Sequence, residues 1–344
     1  MKFGMKGLFL LSFLFFFLVA CSSADNESTN TDKEPEQNEE QNETNEENAE
    51  EEENGSNDVS FEVNDTKGPE DQGDLNVWYE GDVEIVGKKI TVKGTTNLLP
   101  ESRVQLLVDS VDGVLFGSGD QTSVEPSGAF ELVGNLPDDY EGITTIELSF
   151  NVGDQYSEEI KEHYEEGITG DFAQLYYDDF EEVMSQKASF NTTVLIDGSE
   201  QSLPIESPTW DIPEDQGEPN IWIEPTIKKE QDYVVLNIKS NLVEEARIRA
   251  RASIPNYITT GFQGIADINP DGTAVIYIKD PEKDDRIKDM TEYEIVITLE
   301  PSVDSHAINV IEAYGEYGEK LEGDIIVDTE QGKKVEQRLT ITVE

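Results

Sequence analysis

Pro69-Glu70-Asp71-Gln72-Gly73-Asp74-Leu75-Asn76-Val77-Trp78 returns 144 positions later as Pro213-Glu214-Asp215-Gln216-Gly217-Glu218-Pro219-Asn220-Ile221-Trp222. The same offset sets Asn97-Leu98-Leu99-Pro100-Glu101-Ser102-Arg103-Val104 on Asn241-Leu242-Val243-Glu244-Glu245-Ala246-Arg247-Ile248, and Pro126-Ser127-Gly128 on Pro270-Asp271-Gly272. Further on the offset drifts. Tyr164 with Gly170-Asp171 falls on Tyr317 with Gly323-Asp324, so the second copy has gained short insertions in turn-rich stretches. Ordered matches of this kind mark an internal repeat of one structural unit. Each copy has the size of a single domain. Pro204, Pro208 and Pro213 cluster at the junction, which places the first module at 58–206 and the second at 207–344.

Within each copy the apolar period is two. Lys89-Ile90-Thr91-Val92-Lys93 alternates, as do Thr145-Ile146-Glu147-Leu148-Ser149-Phe150 and Arg338-Leu339-Thr340-Ile341-Thr342-Val343. Such alternation with β-branched and aromatic residues predicts half-buried strands, and the Gly, Pro, Asn and Asp clusters between them predict hairpin turns. The fold class expected is therefore all-β: two tandem antiparallel β-sandwiches of roughly seven strands each. Residues 171–186 are the exception. Phe172, Leu175, Tyr176, Phe180 and Val183 fall close to a helical spacing, so a short helix or a long ordered loop is expected there.

The pattern strand, Asn97-Leu98, strand, Pro126-Ser127-Gly128 turn, strand, Leu136-Pro137-Asp138, strand resembles the immunoglobulin-like or transthyretin-like modules of Gram-positive surface proteins. The second copy departs from it, with Glu244 in the place of Pro100 and no Leu before Pro281. That resemblance implies display or binding and names no ligand. With one cysteine in the chain, a disulfide-bearing antibody-type domain is excluded.

Residues 1–20 read as an export signal: Lys2 and Lys6, then an apolar run from Leu8 to Ala20, too short for the roughly 20 residues of a spanning helix. Leu18-Val19-Ala20-Cys21 resembles the lipobox of bacterial lipoproteins. The resemblance implies a diacylglyceryl group on Cys21, cleavage just before it, and an address on the extracytoplasmic face of the cell membrane. From residue 22 to 57 the chain is almost wholly Glu, Asp, Asn, Gln, Ser and Thr, with a net charge of −13. A segment so polar cannot offset its ordering entropy by burial. With Cys21 it is expected to be a disordered acidic tether spanning at most about 120 Å. It reads as a spacer, or alternatively as an acidic tail for a basic partner.

The formal charge of the whole chain is −52, which excludes nucleic-acid binding and disfavours docking on anionic lipid. The two histidines, His163 and His306, fall at non-equivalent places, and no hydrolase, zincin, P-loop or dinucleotide motif is present. No enzyme activity and no cofactor are expected. Oxygen ligands for calcium gather at Asp109-Ser110-Val111-Asp112 and Asp178-Asp179-Phe180-Glu181-Glu182, but neither stretch has EF-hand spacing. Candidate binding or interface residues are Trp78 and Trp222, either sugar-stacking platforms or core aromatics of the first strand, and Asp71 and Asp215 beside them. Partners expected are the membrane, through the lipid, and a cell-wall or envelope-protein ligand. A calcium-dependent adhesin and a two-carboxylate hydrolase of wall polymer are the alternatives.

Overall fold

A computed structural model describes residues 67–178, 182–258, 260–304 and 307–343. The signal, Cys21, the acidic tether, the start of the first module, His306 and the middle of the acidic run at 178–182 lie outside the described residues.

The first module is built from β1 (Tyr79–Val86), β2 (Lys89–Thr96), β3 (Arg103–Ser110), β4 (Asp120–Ser123), β5 (Ala129–Asn135), β6 (Gly142–Asn151), helix α1 (Glu158–Tyr164), β7 (Ala173–Asp178), β8 (Val183–Ile196) and β9 (Gln201–Pro204). The second follows with β10 (Ile223–Glu230), β11 (Tyr233–Ser240), β12 (Arg247–Ser253), β13 (Gln263–Asp267), β14 (Thr273–Lys279), β15 (Glu292–Leu299), helices α2 (Pro301–Asp304) and α3 (Ile308–Tyr314), β16 (Ile326–Asp328) and β17 (Lys333–Thr342). All named strand pairs are antiparallel.

The sheets of the first module run β5-β2-β1-β9 and β4-β3-β6-β8-β7; those of the second run β14-β11-β10 and β13-β12-β15-β17-β16. Apart from β9, the orders coincide strand for strand, so the sequence repeat is a repeat of topology. In the first module the chain crosses between sheets after β2, β4, β5 and β8, a Greek-key path. Alternate residues of each strand point inward: Val83 and Ile85 on β1, Phe130 and Leu132 on β5, Ile248 and Ala250 on β12. They meet in one apolar core per module.

Turn chemistry explains what the copies keep. Gly128 and Gly272 both hold a left-handed backbone, and an added Cβ would lie 2.5 Å from the Thr96 carbonyl in one and 2.1 Å from the Ser240 carbonyl in the other. Only glycine fits, hence the retained Pro-x-Gly.

β1 is covered by β9, whereas among the described residues β10 pairs with β11 alone. Pro225, Lys228 and Lys229 mark that open edge, residues that discourage strand addition.

Two expectations need correction. The described residues of 171–186 form no helix; Ala173–Asp178 is β7 and Val183 onward is β8, paired as a hairpin, and the helix lies upstream at α1. Phe172 does enter the core, but the short apolar pattern also suits a strand, and the free edge of β8 supplies the pairing partner that decides it. The counterpart of Tyr164 is Tyr314, not Tyr317. Tyr164 and Tyr314 are fully buried and their hydroxyls accept from Leu99 N and Val243 N, whereas Tyr317 is exposed. Thr169 and Glu322 are equivalent, each bridging the residues before its first strand. The last of the insertions in the second copy therefore lies between Tyr314 and Glu322.

Candidate functional site

The repeated Glu-Asp-Gln-Gly stretch builds an internal staple. Asp71 Oδ2 accepts from Trp78 Nε1 at 2.8 Å, and Asp215 Oδ2 from Trp222 Nε1 at 2.8 Å. Gln72 donates to the Leu98 and Pro126 carbonyls, and Gln216 to those of Leu242 and Pro270. Beneath them sits a buried asparagine. Asn97 Oδ1 accepts from Trp78 N at 3.1 Å while its Nδ2 donates to Asn76 O at 2.8 Å; Asn241 repeats this at 3.0 Å with Trp222 N and at 3.0 Å with Asn220 O. The staple ties the entry to the first strand onto the connection leaving the second.

Trp78 and Trp222 are half-buried and lie just ahead of β1 and β10. Their single polar atoms, and one oxygen of each aspartate, are engaged inside the staple. Arg103 and Arg247 both open a strand: Arg103 lies over the Tyr156 ring at 4.4 Å, and Arg247 pairs with Asp267 at 2.8 Å. His163 donates from Nε2 to the Gly73 carbonyl at 2.6 Å, a bond local to the first module.

Where the copies differ, the modules meet. On β11 the residues Tyr233, Val234, Val235 and Leu236 are all buried, so both strand faces are covered. Val234 and Leu236 belong to the second core. Tyr233 and Val235 instead cluster with Ile143 of the first module, flanked by Val111, Leu195 and Tyr277. At roughly 1.5–3 kcal/mol per buried aliphatic side chain, this patch stabilises the joint appreciably. Tyr233 Oη donates to Asp112 Oδ2 at 2.7 Å, and Lys279 approaches the same oxygen at 3.2 Å. Burial and then the Asp112 carboxylate push the Tyr233 phenol up.

The second half of the joint uses the β7–β8 hairpin. Leu175 N donates to Glu244 Oε1 at 2.7 Å, and Tyr177 N to Glu245 Oε2 at 3.3 Å. Two carboxylates of the second module thus satisfy the outer edge of the first module's sheet, which would otherwise be an open pairing edge. Tyr177 and Met184 pack on the second core. In the second module the hairpin turns earlier, with Thr329 N bonded to Gly332 O. Glu244 replaces Pro100 because one caps a neighbour's backbone and the other has no such strand to cap.

Between the modules lies a cleft of about 840 Å³, within the range of ligand pockets. Ile143, Leu195, Tyr233 and Phe262 give it apolar surface, and its rim carries seven carboxylates against Lys279, Lys283 and Arg286. The carboxylate Asp109 accepts from Leu115 N, and Asp112 is committed to Tyr233 and Lys279. Among the described residues no group of three or more His, Cys, Asp or Glu is placed to hold a metal ion. Among the described residues no helix is long and apolar enough to cross a membrane.

No protein-family model matches the chain, and no curated protein matches it in sequence.

The residues of the staple are legible in the sequence as a matched set, but their hydrogen bonds are not, and neither is the joint. The joint leaves a trace: Tyr233-Val234-Val235-Leu236 breaks the alternation that its counterpart Lys89-Ile90-Thr91-Val92 keeps.

Proposed function

We propose that the chain is a membrane-anchored extracytoplasmic lipoprotein that displays its two sandwich modules for binding or spacing at the cell surface, without catalysis. The observation that carries this reading is Cys21, the single cysteine of the chain, set directly after a short apolar run and Ala20 and directly before a long acidic segment. Acylation there gives two buried chains, at about 0.8 kcal/mol per CH₂, where one would hold the protein only marginally. The cleft favours binding over pure spacing, because both modules contribute to it and neither has it alone. Its surplus of carboxylates suits a basic segment of a cell-wall or envelope protein.

Replacing Cys21 with serine tests the anchor. The parent chain should fractionate with membranes, and its intact mass should show the leader gone and the sulfur acylated. C21S should carry no acyl mass and keep its leader. Parent protein with an unmodified sulfur, or with the leader still attached, contradicts the proposal.

A further inference from the structure

We propose that Glu244 and Glu245, seated on the outer edge of β7, form a proton-operated latch between the modules, closed while one of the pair is protonated and loosened when both are ionised. The latch goes beyond the anchoring and display reading and does not depend on it.

The geometry comes first. The two acids are consecutive, both are largely withdrawn from water, and both receive backbone N–H groups of the same strand, Leu175 and Tyr177. They belong to one module and their donors to the other, so the state of the carboxylates is the state of the joint. The first copy has Pro100 and an exposed Glu101 at these positions, so the pair belongs to the joint and not to the sandwich.

The charges around the pair are crowded. Asp267 on β13 and the neighbouring Glu244 act against the charge of Glu245, and Lys187 on β8 and the Tyr177 N–H act for it. Lys187 is itself held by Glu147 on β6 at 2.8 Å, and Asp267 by Arg247 on β12 at 2.8 Å. Burial works against the charge on Lys187, but Glu147, Glu245 and Asp267 outweigh it and keep its ammonium above the ordinary lysine value.

Burial, and then Asp267, push the Glu245 carboxyl up to about 7, and burial also raises Glu244. The sign follows. The closed joint binds the proton more tightly than the open one, so its extra stability is complete below the ordinary carboxyl value and is lost as pH rises through about 7. A neutral Glu245 keeps an oxygen to accept from Tyr177 N without repelling Glu244 and Asp267.

Amide exchange in the full chain, corrected for the intrinsic pH dependence of exchange, tests this at Leu175 and Tyr177. Protection should be about tenfold higher at about pH 6 than at about pH 8.5. E245Q, which keeps the accepting oxygen and cannot ionise, should hold the higher protection at both. Equal protection of the parent at the two pH values overturns the latch, and so does an E245Q chain that loses protection as the parent does. Should E245Q not fold, carboxyl carbon-13 titration of the parent decides: a Glu245 midpoint near 7 supports the latch, and one at the ordinary glutamate value overturns it.

Discussion

Asn241→Ala should destabilise the second module by about 3–5 kcal/mol, and Asn97→Ala should do the same to the first. Asn241 is completely buried, its Oδ1 accepts from Trp222 N at 3.0 Å, and its Nδ2 serves the Asn220 carbonyl at 3.0 Å and the Asp215 carbonyl at 3.3 Å. Alanine leaves three backbone groups without that partner, at about 1–3 kcal/mol for each one that water cannot reach. Denaturant unfolding followed by near-ultraviolet signals of Trp222 and Trp78 measures the loss. A shift below about 1 kcal/mol would show that the repeated Asp-Gln-Gly-Trp stretch does not hold the sandwich entry in place.

The second large effect belongs to the helix anchors. Tyr314→Ala should cost about 4 kcal/mol, whereas Tyr314→Phe should cost only about 1–2 kcal/mol. The alanine empties a fully buried ring site, while the phenylalanine keeps the ring and removes only the oxygen that accepts from Val243 N at 2.9 Å. Tyr164 should behave alike, with its ring edge-on to Phe150 at a centroid distance of 5.0 Å. Thermal unfolding of the four variants gives the comparison. If the two substitutions at one position cost the same, the hydroxyl alone pins the helix and the packing account is wrong.

The parts of the fold that read directly from the sequence are those where one local rule governs. Alternation marked the strands, Pro-x-Gly marked turns that only glycine can make, and the 144-residue repeat marked two equal bodies. What did not read directly depends on contacts between distant residues. Residues 171–186 carry a spacing that fits helix and strand alike, and the edge of β8 chose between them. Tyr317 stands where the 153-residue offset of Gly170 and Gly323 would put the partner of Tyr164, but an insertion after Tyr314 changed the register between them. Trp78 and Trp222 were legible as a matched pair, yet the aspartate that each bonds lies seven residues back in a turn whose shape no period reports. The joint left its trace as failures of the repeat, in Glu244 for Pro100 and in Tyr233-Val234-Val235-Leu236 without alternation. A failed match signals an extra surface to cover without saying what covers it.

A distance between the two modules tests the central claim, that a joint of apolar cluster and carboxylate caps holds two copies of one sandwich as a single body. Because Cys21 is the only native cysteine, a chain with Cys21→Ser can be spin-labelled at two introduced cysteines, at the exposed positions Glu84 on β1 and Asp328 on β16. At about pH 6, where the carboxylate pair favours closure, the account predicts one narrow distance distribution. A broad distribution at that pH, of the width expected for beads on a string, would contradict it.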